Sequence, residues 1–127
     1  MKKLIIIISL FFCSSVSAEW VFYTYTINDV GTTYWYEDER IRLRGDNAFV
    51  WFRTKFSENN KLMGRYGSTQ TYTKINCDEY SYQFLQHTFY SDFEWTNSSA
   101  SDTEPSDKTF IPPNSSIEVL ADIVCKE

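Results

Sequence analysis

The side chains with chemical reach in this chain are few: one histidine, His87; three cysteines, Cys13, Cys77 and Cys125; and two sets of cations. The first set is the row Arg40, Arg42 and Arg44; the second is Arg65 and Lys74, which bracket an uncharged stretch containing Tyr72. Any general base or metal ligand built on imidazole must use His87. In a strand it shares a face with Leu85 and Phe89, a place for packing or hydrogen bonding rather than proton transfer. No carboxylate pair has the spacing of an acid–base couple, and no glycine-rich phosphate loop, nucleophile elbow or metal motif is present. The chain reads as a non-enzyme with no cofactor and no metal site.

Binding is the chemistry these residues suit better. Ile41 and Leu43 face one side of an extended run, so Arg40, Arg42 and Arg44 face the other. A row of guanidinium forks binds carboxylate or sulfate groups in bidentate fashion. The same row is also compatible with a solvated sheet face whose charges are met by Glu37, Asp38, Glu39 and acids across the strands.

These side chains sit in a chain of 127 residues with 12 Lys and Arg against 17 Asp and Glu, 43% hydrophobic and 18% aromatic. That is the profile of one folded domain, and a pI near 4.9 excludes a basic stripe able to neutralise a phosphate backbone, so nucleic acid is not a partner. Lys2 and Lys3, the apolar run from Leu4 to Phe12, and Val16-Ser17-Ala18 read as a cleaved secretory signal over residues 1–18. The apolar run is too short for a membrane span of ~20 residues. Phe12 stands where a lipoprotein signal places a small residue before its cysteine. The expected mature domain is residues 19–127, with 10 basic and 17 acidic residues and a net charge of −7, located in the periplasm, on the outer-membrane surface or in the medium.

Export to an oxidising compartment leaves Cys77 and Cys125 as each other's only partner, and they lack the further ligands a metal would need. From Trp20 to Tyr90, short β-branched and aromatic runs alternate with turn clusters. Strands are expected over Trp20 to Ile27, Thr32 to Glu37, Arg40 to Arg44, Ala48 to Phe56, Ser68 to Cys77 and Ser81 to Ser91, paired as antiparallel hairpins. Thr96 to Asp107 is almost wholly polar and reads as a mobile surface loop. Ser115-Ser116-Ile117-Glu118 then has the form of a capping box, and Ile117, Leu120, Ala121 and Val124 make one apolar helical stripe. Cys125, at the stripe's edge, would clamp that helix to the sheet. The fold class is α+β, mainly β.

Aromatic content points outward as well as inward. Residues such as Trp20, Phe22, Tyr34, Trp51, Tyr82 and Phe84 cannot all lie beneath one short helix, so an open face or a face covered by a second chain is expected.

The segment Tyr72-Thr73-Lys74-Ile75-Asn76-Cys77, the run from Tyr80 through Phe89-Tyr90-Ser91-Asp92-Phe93 to Trp95, and Ile111-Pro112-Pro113 leading to Val124-Cys125 resemble the surface-adhesin protein E family of Gram-negative bacteria. The resemblance covers nearly the whole mature chain. It implies a single six-stranded antiparallel sheet with a helix tied to its concave face by the disulfide, and a tendency to form homodimers. It also implies attachment to host matrix or serum proteins such as vitronectin and laminin, through a segment that corresponds to Arg65, Tyr72 and Lys74 here. A periplasmic, non-catalytic interaction module, an inhibitor or an assembly factor, is the alternative.

Overall fold

The computed structural model describes residues 19–26, 31–57, 61–62 and 64–126; the expected signal, residues 1–18, lies outside them. Runs rich in β-branched and aromatic residues form β1 Trp20–Thr26, β2 Thr32–Glu37, β3 Arg42–Arg44, β4 Asn47–Lys55, β5 Ser68–Asn76 and β6 Ser81–Tyr90. Two further strands, β7 Ser98–Asp102 and β8 Thr109–Phe110, precede one helix, α1 Ser116–Val124. All pairings are antiparallel, in the order β1-β2-β4-β5-β6-β7, with β3 beside β4 and β8 beside β6.

Among the described residues the sheet has eight strands, not the expected six. The additional two share the outer edge of β6: β7 pairs with His87 to Tyr90, and β8 with Ser81 and Tyr82. Every residue of β7 is exposed, so it forms through backbone hydrogen bonds to β6 and not by burying side chains. That is why a polar segment which read as a mobile loop is a strand through its middle.

Alternation divides the sheet into two faces. Ala48, Val50 and Phe52 of β4 and Ile75 of β5 point toward α1, where they meet Ile117, Leu120, Ala121 and Val124. All four stripe residues are buried, as the helical spacing requires. The cap forms as Ser115 Oγ accepts from the Glu118 N–H at 3.2 Å. Glu118 Oε1 reaches back to the Asn114 N–H at 3.3 Å, one residue earlier than in a capping box. Cys77, in the turn after β5, is bonded to Cys125 at the helix C-cap across a separation of 48 residues. In the chain-entropy picture a loop of that length stabilises the fold by about 4 kcal/mol.

Candidate functional site

The face that α1 does not cover carries a compact set of rings and cations. Register sets it: Arg42 of β3 lies opposite Phe49 of β4, Phe49 opposite Lys74 of β5, and Trp51 opposite Tyr72. Since Ala48 and Val50 point to the helix, these residues point away from it. Phe49 stacks on Tyr72 with centroids 6.2 Å apart, and Trp51 lies 4.8 Å from the same ring. Arg42, Arg44, Phe49 and Tyr72 line one shallow hollow of about 220 Å³. Both arginines are exposed, and among the described residues neither makes an ion pair. The hollow joins guanidinium donors to an aromatic floor, the combination that anchors protein interfaces.

Of the six cationic and aromatic residues expected to bind a partner, Arg42, Arg44 and Tyr72 converge, and Lys74 stands beside them through its pairing with Phe49. Arg40 does not join. It lies in the turn before β3, where its Nε donates to Glu37 Oε1 at 2.6 Å; Glu37 is almost wholly buried, and this bond raises the pKa of Arg40. The expected row of three is a pair because that contact, three residues long, ends β2 in a turn and delays β3 to Arg42. Arg65 lies beyond the opposite end of β5 from Lys74, exposed, with its guanidinium 5.6 Å from the Tyr66 ring. Arg65, in the turn before β5, and Lys74, near the other end of that strand, are held apart and do not make one basic site.

A second cluster on the open face lies outside the residues expected to bind a partner. Arg53 of β4 lies 4.1 Å from the Trp20 ring centroid and 5.0 Å from that of Trp95, and its Nε donates to Gln70 Oε1 at 3.0 Å. Trp35 meets Trp95 edge to face at 5.4 Å, and Phe22 meets Trp35 at 6.0 Å. The alternation of β4, which puts Arg53 on the face of Phe49 and Trp51, was the available signal. The approach of Trp95 from a loop more than 40 residues away left no trace in the local pattern.

His87 is on the helix-covered face. Its Nδ1 lies 3.1 Å from Thr71 Oγ1, and its ring packs edge-on to Phe84 at 4.8 Å and over Phe89 at 5.9 Å. A bulge opposite Tyr72 and Thr73 brings Phe84 to that face in place of Leu85, against the strict alternation expected. Burial lowers the His87 pKa, with Asp102 acting in the opposite sense. Among the described residues no cluster of His, Cys, Asp and Glu is arranged to hold a metal ion, and no helix is long and apolar enough to cross a membrane.

Residues 20–126 match the family model of surface-adhesin protein E. Among solved structures the chain is similar to Haemophilus influenzae protein E, with a TM-score of 0.59 at 16% identity over 87% of this chain and 85% of that one. Crystal form II of the same protein gives 0.58 at 17% identity, covering 82% and 87% respectively. Protein E from non-typeable Haemophilus influenzae gives 0.53 at 14% identity, covering 89% and 79%. At these identities the likeness is one of fold. No curated protein matches the sequence at a significant level.

Proposed function

Because the chain belongs to the surface-adhesin protein E family, we propose that it is an exported envelope protein, displayed at the cell surface, that holds a host matrix or serum protein such as vitronectin or laminin without catalysing a reaction. The observation that carries this reading is the hollow formed by Arg42, Arg44, Phe49 and Tyr72 on the face left open by the helix. On an acidic protein this is a local concentration of cations over aromatic rings, and it suits an acidic segment of a partner. A second copy of the chain on the same face is the homodimer form of the proposal.

Protease treatment of intact cells, with a known periplasmic protein as leakage control, tests display. Loss of the chain while the control survives supports the adhesin reading, and immobilised vitronectin and laminin then test the partner. Survival of both proteins overturns display and favours the periplasmic interaction module, a reading supported by the uncharged stretch between Arg65 and Lys74.

A further inference from the structure

On the other face of the sheet, between the first turn of α1 and the strands beneath it, lies a cavity of about 250 Å³, a cleft that opens to solvent on one side. Its walls are aromatic, supplied by Tyr23, Tyr34, Phe52, Phe84 and Phe89, with Ile117 from the helix. Thr71 and His87 form a hydrogen-bonded pair on the sheet side, beside Thr54 and Thr69, and Leu62 borders the cavity from the loop before β5. Among the described residues no Asp, Glu, Lys or Arg lines it.

We propose that this cavity is a binding site for a small, neutral aromatic molecule of one or two fused rings bearing a hydrogen-bonding group, of the phenol and indole class. Volume sets the size, since an apolar cavity of about 150 Å³ accommodates benzene and this one is larger. The ring-lined walls favour an aromatic guest, which gains edge-to-face contacts that an aliphatic chain does not. The lining without formal charge disfavours an ionised ligand, whose desolvation nothing there would offset. The Thr71–His87 pair offers a polar contact in the tautomer with Nδ1 unprotonated: the Thr71 hydroxyl then donates to Nδ1 and its oxygen is left to accept from a ligand N–H or O–H. The site is on the opposite face from the Arg42–Tyr72 hollow, so it stands independently of the adhesin reading.

Indole titrated into the purified protein, followed by methyl and imidazole NMR signals, tests the proposal. Saturable shifts are expected at the methyl groups of Thr71, Leu62 and Ile117 and at the His87 ring. Thr71→Val keeps the shape and removes the acceptor, and is expected to weaken binding roughly 3- to 10-fold, the range of one hydrogen bond. Leu62→Trp narrows the cavity from its loop side and is expected to abolish the shifts while the circular dichroism spectrum is unchanged. Absence of saturable shifts in the wild-type protein up to the solubility of indole overturns the proposal. So does n-octanol binding at the same methyl groups more tightly than indole, which would make the guest aliphatic.

Discussion

Gly67 lies directly against the backbone of Asp92: a methyl group on Gly67 would stand 2.7 Å from the Asp92 carbonyl oxygen and 2.9 Å from its carbon. The approach is held on both sides, since Gly67 N–H donates to Tyr90 O at 3.0 Å and Ser68 Oγ donates to Asp92 O at 2.7 Å. Backbone atoms cannot swing aside as a flexible side chain does. Gly67→Ala is therefore expected to destabilise the fold by about 1–3 kcal/mol, read as a lower urea midpoint with an unchanged slope. A midpoint equal to that of the wild type would show that the loop yields freely.

The Asp92 carboxylate organises the same loop. It accepts from Thr96 Oγ1 at 2.6 Å, from the Asn97 N–H at 2.9 Å and from the Glu94 N–H at 3.1 Å. The Thr96 hydroxyl, followed by the Asn97 amide, holds its pKa down at about 2, below the ordinary value of 3.8. A group depressed in the folded state contributes stability that is present above its unfolded value and lost as pH falls toward the folded one. Asp92→Asn is expected to lower the thermal midpoint at pH 7 and to converge with the wild type near pH 2. A constant gap between the two curves across that window would contradict the assignment.

His87 titrates in a separate window. Burial lowers its folded pKa beneath the ordinary imidazole value of 6.5. The unfolded chain therefore takes up the proton first, so the contribution is complete above about pH 6.5 and declines as pH falls toward the folded value. Wild-type protein is expected to lose more thermal stability than His87→Gln between pH 7.5 and 5.5. An imidazole NMR titration should give a midpoint below 6.5; one at or above it would refute the argument.

Reduction tests the clamp on α1. The disulfide is the one covalent link between the turn after β5 and the helix, whose Ile117, Leu120, Ala121 and Val124 cover Val50 and Ile75. Replacing Cys77 and Cys125 together by Ala is expected to remove about 4 kcal/mol in denaturant unfolding. A loss under about 1 kcal/mol would mean that packing alone seats the helix.

How far the sequence reveals these features depends on whether a residue acts through its neighbours in the chain. The stripe on α1, its Ser115 cap and the Cys77–Cys125 pair were legible because helical spacing, a short local motif and export leave little choice. Six strands were legible from hydrophobic alternation. β7 was not, because an edge strand with every side chain exposed carries no alternation to read. Period-2 spacing groups Arg40 with Arg42 and Arg44 because it ignores the contact with Glu37 that Arg40 makes from the turn before β3. The aromatic neighbours of Arg53 come from β1 and from the loop after β6, a convergence that only tertiary structure produces.

The division among the arginines gives the open face a test with internal controls. Arg42 and Arg44 border the rings of Phe49 and Tyr72, whereas Arg40 is held by Glu37 and Arg65 lies beyond the far end of β5. If the hollow is the binding surface, truncating its members removes charge and ring contact at the centre of the interface, where losses reach about 2 kcal/mol or more per anchor. Arg42→Ala, Arg44→Ala and Tyr72→Ala are each expected to weaken binding to immobilised vitronectin or laminin by roughly 30-fold, the equivalent of 2 kcal/mol. Arg65→Ala and Arg40→Ala should stay within about twofold, as rim charges do. The two arginines of the hollow should also account for most of the salt dependence of association, since charge complementarity acts chiefly on the encounter. If Arg65→Ala proves as damaging as Arg42→Ala, binding is spread along the whole of β5. If neither matters, the partner sits elsewhere.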